Sequence, residues 1–355
     1  MCGFVGVVNY DKNLLNSNKI IEKMLSKIAR RGPDENGYFI KEKIMIGHNR
    51  LIVRDPIGGK QPMSIKENDS IYTICYNGQI YNSDEIKKDL EKNNISFNSY
   101  SDTEVLLRAF IYYGYDVLKH LNGVFSFAIW DSKKEELFVA RDNFGIKPFF
   151  YTFKNNNFIF GSEIKTIFEH PDIEKIIDSN SICELLGIGP AHTPGLTIYK
   201  DIYELKPGYF GVFDKCGLKL NEYWKLESKI HEDDFETTCK KINYLLEDAI
   251  SKQLVSDVPV GIMLSGGLDS SIITSYALDC CKKQGNSPFK TFSVDYVDND
   301  KNFVKSDFQP NSDDYFISLM LDKFKTNHKK VILDTPELAN ALYDSVIARD
   351  APRNG

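Results

Sequence analysis

No two cysteines in the sequence are spaced C-x-x-C, which argues against a zinc site. The seven present (Cys2, Cys75, Cys183, Cys216, Cys239, Cys280 and Cys281) are odd in number and scattered, which argues against a disulfide framework and fits a reducing cytoplasm. No apolar run approaches the length of a membrane span; the longest core-like stretch is Val124 to Trp130. The N-terminus lacks a basic segment followed by an apolar one, so no secretory signal is read there. Positive charge is not in excess. The formal net charge of -6 argues against non-specific nucleic-acid binding. Internal repeats and low-complexity tracts are also missing.

What remains is enough for real cores: 355 residues, 42% hydrophobic and 26% charged, a length that suits about two domains. The first part reads as many short strands with a few helices. Gly3 to Val8 is strand-like, and Lys19 to Arg31 has helical spacing that should stop at Gly32-Pro33. Strand-like pieces follow at 38–40, 44–46 and 71–75. Next come a turn at Asn77-Gly78, a helix from Ser83, and a capped helix start at Ser101-Asp102-Thr103-Glu104. Further strands are expected at 124–130, 137–140, 149–153 and 158–160. This pattern suggests sheet packed on sheet with helices outside.

The texture changes after Tyr223-Trp224. A helical face runs from Thr237 to Leu254, and a buried strand pattern from Val258 to Leu264. A helix is then expected through Cys280, a strand at 291–296, a helix at 315–324, a strand at 330–333 and a helix at 336–347. Such alternation is the signature of a parallel α/β sheet. The polar stretch 297–314 reads as an exposed loop.

Two stretches carry chemistry. The first is Met1-Cys2-Gly3. If Met1 is removed, Cys2 carries a thiol and a free α-amine, whose ordinary pKa of about 8 lets it take the thiol proton near neutral pH. The bland alternative is a small hydrophobe packed in the first strand. The second stretch is Ser265-Gly266-Gly267-Leu268-Asp269-Ser270, between a strand and a helix. Backbone N–H groups gather there and can hold a phosphate. Asp269 beside a phosphate points to a shared cation such as Mg2+. A Walker-type lysine is missing, so the loop is not a P-loop of that kind.

The second loop, following Asp257-Val258-Pro259-Val260-Gly261, resembles the pyrophosphate loop of ATP pyrophosphatases. Together with Met-Cys-Gly it is similar to the glutamine-hydrolysing asparagine synthetase family. The likeness extends along nearly the whole chain as short motifs in family order. They include Arg31-Gly32-Pro33-Asp34, Gly47-His48-Asn49-Arg50-Leu51, Gln61-Pro62-Met63 and Tyr76-Asn77-Gly78-Gln79-Ile80-Tyr81-Asn82. Then come Ser101-Asp102-Thr103-Glu104, Leu121-Asn122-Gly123, Ala140-Arg141-Asp142 and Phe144-Gly145-Ile146-Lys147-Pro148. Gly161-Ser162-Glu163-Ile164-Lys165 and Leu205-Lys206-Pro207-Gly208 complete the string.

The resemblance implies an α+β N-terminal-nucleophile hydrolase, an αββα sandwich, over residues 1–220. A partial α/β parallel-sheet ATP pyrophosphatase domain would follow over 221–355. It implies that Cys2 attacks the side-chain amide of glutamine, with Asn77 and Gly78 stabilising the oxyanion. Arg50 would bind the substrate α-carboxylate, and Asp102 and the residue after Asn-Gly its ammonium. The family commonly has Glu at that last position; here it is Gln79, whose neutral amide would hold the ammonium less strongly. The bland readings are a hairpin turn for Asn77-Gly78, a surface arginine for Arg50 and a helix N-cap at Ser101-Asp102. His48 is expected to be a packed structural residue.

In the second part the resemblance implies ATP binding by Leu264, Ser265, Gly266, Gly267, Leu268, Asp269, Ser270 and Val294, with Mg2+ at Asp269. Plain strand core is the alternative for Leu264 and Val294. The implied substrates are glutamine, aspartate and ATP, with no nucleic-acid or membrane partner; a homodimer is the default assembly. Relatives continue beyond Gly355 into a second, acidic Ser-Gly-Glu-Gly-type loop that has no counterpart here. The resemblance implies glutamine-dependent asparagine synthesis, with ammonia released at Cys2 meeting an aspartate adenylated by ATP; the shortened second part makes a chain that hydrolyses glutamine but makes little asparagine the alternative. The other readings are a non-catalytic homologue and an amidotransferase acting on another carboxylate.

Overall fold

The computed structural model describes residues 1–188, 192–284, 289–307 and 310–351. The chain divides into two compact units, Met1–Glu227 with Val346–Gly355, and Ser228–Ser345.

The first unit contains twelve strands among its described residues. In chain order they are β1 (Gly3–Asn9), β2 (Glu35–Ile40), β3 (Ile44–Arg50), β4 (Met63–Glu67), β5 (Ser70–Ile80), β6 (Gly123–Asp131), β7 (Glu136–Arg141), β8 (Phe150–Lys154), β9 (Asn157–Gly161), β10 (Tyr203–Glu204), β11 (Tyr209–Asp214) and β12 (Gly217–Glu222). They form two six-stranded antiparallel sheets, ordered β10-β8-β9-β1-β3-β2 and β12-β11-β7-β6-β5-β4. Helices α1 (Asn18–Ser26), α2 (Ser83–Lys92), α3 (Asp102–Tyr113), α4 (Ile164–Ile167) and α5 (Ser179–Gly187) belong to the same unit, with a 3-10 helix over Gly114–Lys119.

Side-chain alternation decides the layers. In β1, Phe4 and Val8 join Ile44, Ile46, Cys75, Trp130 and Val139 in one apolar cluster that draws on both sheets. Val5 and Val7, on the opposite face of β1, pack with Ile21, Met24 and Leu25 of α1. Ile74, Tyr76 and Ile80 of β5 pack with Val105, Leu106 and Phe110 of α3. The result is an αββα sandwich, and β1 is buried along its whole length because it is covered on both faces.

One local expectation is corrected. Asn77-Gly78 is no turn but lies inside β5, with Asn77 opposite Ser126 and Gly78 opposite Phe125. An Asn-Gly hairpin requires the next strand to return at once, whereas β5 runs on to Ile80 and its next partner in the chain, β6, starts only at Gly123. Glycine is needed at 78 for close approach, since a Cβ there would sit 2.3 Å from the Val124 carbonyl oxygen.

The second unit has α6 (Phe235–Gln253), β13 (Gly261–Met263), α7 (Leu268–Gln284), β14 (Lys290–Tyr296), α8 (Asn299–Asn302), α9 (Asp313–Phe324), β15 (Asn327–Leu333) and then α10 (Thr335–Arg349), whose last turn belongs to the first unit. Asp234 caps α6 by accepting from the Thr237 N–H at 2.8 Å. The strands form a parallel sheet, β13-β14-β15, with helices between successive strands. The stretch expected as an exposed loop carries the short α8. Among the described residues no helix is long and apolar enough to cross a membrane.

Candidate active site

Cys2 immediately precedes β1, so the first covered strand of the sandwich delivers its side chain to the rim of the sheets. Its Sγ accepts from the Leu51 N–H at 3.4 Å. Its carbonyl is held by Arg31 Nε at 2.8 Å, and Arg31 Nη1 in turn pairs with Glu163 at 2.9 Å. The backbone of residue 2 is therefore fixed from two sides while its thiol faces a cleft of about 240 Å³. Burial pushes the thiol pKa up; the Leu51 N–H, the adjacent terminal amine and Arg50 pull it back.

The same cleft is lined by Asn77, Gly78, Gln79, Arg50 and Asp102, so the structure brings all the expected glutamine-site positions together. Asn77 is 2% exposed, and its Nδ2 has no hydrogen-bond partner within the protein. A buried donor left so costs about 1–3 kcal/mol, which a ligand acceptor would recover. Asp102 accepts from the Tyr76 hydroxyl at 2.8 Å and the Ile80 N–H at 3.1 Å. Burial raises its pKa, opposed by those two donors. Ser101 caps α3 by accepting from the Thr103 N–H at 3.2 Å, so the cap reading holds for Ser101.

Arg50 is 4% exposed and is no surface arginine. Its Nη1 donates to Glu35 (2.7 Å) and to the Pro56 carbonyl (3.1 Å). Nη2 donates to the carbonyls of Arg54 (3.1 Å) and Asp55 (2.6 Å). Arg50 thus organises the 54–56 turn, which brings Arg54 into the cleft. Arg54 itself is tied to Ser83 (2.8 Å) and Asp84 (2.7 Å). His48 is fully buried, with Nε2 donating to the Tyr76 carbonyl at 3.0 Å. Burial lowers its pKa to about 4, which fits a packed neutral residue.

Sequence reasoning did not single out Arg54 or Lys147 as lining the cleft. Lys147 lay within a recognised motif, Phe144 to Pro148, and that was the available signal.

In the second unit, the 265–270 stretch connects β13 to α7. Gly266 has φ +79, and a Cβ there would lie 2.9 Å from the Asp313 carbonyl oxygen, so only glycine fits. Ser265 and Ser270 hydroxyls are 3.1 Å apart, and the Ser265 N–H points to Ser270 Oγ at 3.3 Å. Asp269 is exposed in the first turn of α7. Leu264 is buried, with its N–H on the Phe292 carbonyl at 2.7 Å, whereas Val294 is half-exposed. The described residues hold no cluster of three or more His, Cys, Asp or Glu suited to a metal.

Comparison with known proteins places both parts of the chain in families. The glutamine amidotransferase domain model matches residues 1–224, and the asparagine synthase model residues 241–355. The chain is 43% identical over 352 residues to asparagine synthetase [glutamine-hydrolyzing] 3 of Bacillus subtilis, covering 99% of this chain and 57% of that protein. It is 36% identical to asparagine synthetase [glutamine-hydrolyzing] 1 of the same organism, covering 83% of this chain and 46% of that one. A putative asparagine synthetase [glutamine-hydrolyzing] 2 of Methanocaldococcus jannaschii is 34% identical, with coverages of 92% and 64%. The chain therefore spans roughly half to two thirds of the length of these relatives. On the match that takes in the whole sandwich, this chain belongs to the glutamine amidotransferase domain family, and an asparagine synthase segment follows from residue 241.

Proposed function

We propose that the chain hydrolyses glutamine at Cys2 and belongs to a glutamine-dependent asparagine-forming system. One observation carries this reading: the Cys2 thiol, the unpartnered amide of Asn77 and Gly78 line a single cleft with Asp102 and Arg50. With Met1 removed, the α-amine of Cys2 takes the thiol proton, and Sγ attacks the amide carbon of glutamine. The oxyanion so formed is met by Asn77 Nδ2 and the Gly78 N–H. The C–N bond then breaks, ammonia leaves with the proton from the α-ammonium, and water cleaves the thioester to glutamate and free thiol. Asp102 and Gln79 hold the substrate ammonium, and Arg50 takes its α-carboxylate by exchanging one of its present partners, Glu35 or a 54–56 carbonyl.

The asparagine synthase segment supports the second half of the proposal. ATP is a substrate there. The crowded left-handed Gly266, the paired serine hydroxyls and the start of α7 suit a phosphate. Leu264 to Ser270 and Val294 would hold the nucleotide. Asp269 would hold Mg2+, an ion that takes one or two carboxylates plus phosphate oxygens and supplies charge neutralisation. The β-carboxylate of aspartate attacks the α-phosphorus of ATP and pyrophosphate leaves; ammonia then displaces AMP from the acyl-adenylate and gives asparagine. A cytoplasmic location fits these substrates.

The test is glutamate release by the wild-type chain and Cys2→Ala, with and without ATP and aspartate, while pyrophosphate and asparagine are assayed separately. Glutamate release that vanishes in Cys2→Ala is the expected result. Release that survives that substitution would end the proposal.

A further inference from the structure

The loop after β7 is pinned along its backbone by two buried charged side chains. The Asp142 carboxylate accepts from the main-chain N–H groups of Phe125 (3.2 Å), Phe144 (3.1 Å), Ile146 (2.9 Å) and Lys147 (2.9 Å). The Arg141 guanidinium donates to the carbonyls of Lys147 (2.8 Å), Gly145 (2.7 Å) and Leu205 (2.6 Å). Gly145 takes φ +66, where a Cβ would meet Pro207 Cγ at 2.8 Å. Both the N–H and the C=O of Lys147 are thereby fixed, and its side chain extends into the Cys2 cleft. Its Nζ lies 3.5 Å from Met1 Sδ, beside the chain terminus.

The other charges near the first residue are already occupied. Arg31 is bound to Glu163 and to the Cys2 carbonyl, and Arg50 to Glu35 and three carbonyls. Asp34 accepts from the Ile52 N–H, Asp102 from Tyr76 and Ile80, and Asp142 from its own loop. Among the described residues no carboxylate lies within ion-pair distance of Lys147 Nζ, so its charge is left to act on the terminus.

We infer that Lys147 is a positioning residue of the glutamine site, whose ammonium keeps the α-amine of Cys2 neutral so that it can take the thiol proton as Sγ attacks. The inference rests on Cys2 being the terminal nucleophile. A cation beside an amine disfavours the ammonium form, and beside a thiol it favours the thiolate. Both effects ready the residue near neutral pH, and the more acidic α-ammonium is the better proton donor to departing ammonia. The influences recorded at the site run the same way. Burial lowers the α-amine of Met1, the residue that stands at this end of the cleft, and Arg31 and Lys147 lower it further, while Cys2 and Asp34 raise it. Lys147 itself is lowered by burial and by Arg31, and raised by Asp142 and Cys2.

The experiment compares Lys147→Met and Lys147→Arg in the full chain. Glutamate release is followed from pH 6 to pH 9.5, and alkylation of Cys2 by iodoacetamide is localised by mass spectrometry. In Lys147→Met the acidic limb should move up by about one pH unit, giving about tenfold less activity at pH 6.5 and little loss at pH 9. Cys2 alkylation at pH 7 should also fall about tenfold, and Lys147→Arg should restore both. An unchanged pH profile, or a loss equal at every pH, overturns the role of Lys147 while Cys2→Ala remains inactive. If Cys2→Ala still hydrolyses glutamine, the nucleophile assignment itself fails and this inference goes with it.

Discussion

At Asn77 the protein tolerates a buried amide nitrogen with no partner of its own. If that donor meets the oxyanion, Asn77→Ala should lower kcat for glutamine hydrolysis about 10²–10³-fold with a much smaller change in KM. Steady-state glutamate release measures both, and a raised KM with kcat intact would assign Asn77 to substrate binding alone. His48 gives a prediction about stability. Its folded pKa of about 4 lies below the ordinary value near 6.5, so the unfolded chain binds the extra proton between those values. Its full contribution is present above pH 6.5 and is lost as pH falls through 4, about 3 kcal/mol in all. Urea unfolding at pH 7.5 and pH 4.5 should show a smaller acid loss for His48→Gln than for wild type. Equal losses would mean that His48 is protonated in the fold. Cys2, Asn77 and Asp102 were legible because motif chemistry names residue types. Arg54 and Lys147 were not, because an exposed cation and one turned into a cleft look alike in sequence.

β1 depends on a glycine for its packing. Gly6 lies opposite Phe160 in β9, and a Cβ at position 6 would come 2.3 Å from Phe160 Cζ and 2.8 Å from Ile46 Cγ2. The Phe160 ring stacks on Phe149 with centroids 5.6 Å apart and planes at 9°. Gly6→Ala should therefore displace Phe160 and destabilise the unit by about 1–3 kcal/mol in urea titrations. An unchanged midpoint would show the neighbours yielding freely. At this scale the buried strands were readable from dense apolar runs, as at Val124 to Trp130 within β6. The α10 and α6 spans were close to their expected limits. β12 gave no signal: it is an edge strand, largely exposed, whose Lys219, Asn221 and Glu222 carry no buried alternation. Asn77-Gly78 misled because a turn-forming pair was used for close strand approach.

Across the whole molecule the two units differ in how much apolar surface they bury. The sandwich holds three extensive apolar clusters, whereas the described cluster of the second unit is Ile250, Ile262 and Ala277. α10 buries no residue among those described. Both tryptophans, Trp130 and Trp224, belong to the first unit. Urea unfolding should then be non-coincident, with far-UV circular dichroism falling before tryptophan fluorescence changes. Superimposed transitions would mean that the units unfold as one. The account as a whole turns on the first residue of the mature chain. Intact and peptide mass spectrometry after treatment with a diazoketone analogue of glutamine tests it most directly. The predicted product lacks Met1 and carries one adduct, on Cys2. A chain that retains Met1, or an adduct on any other cysteine, would contradict the account.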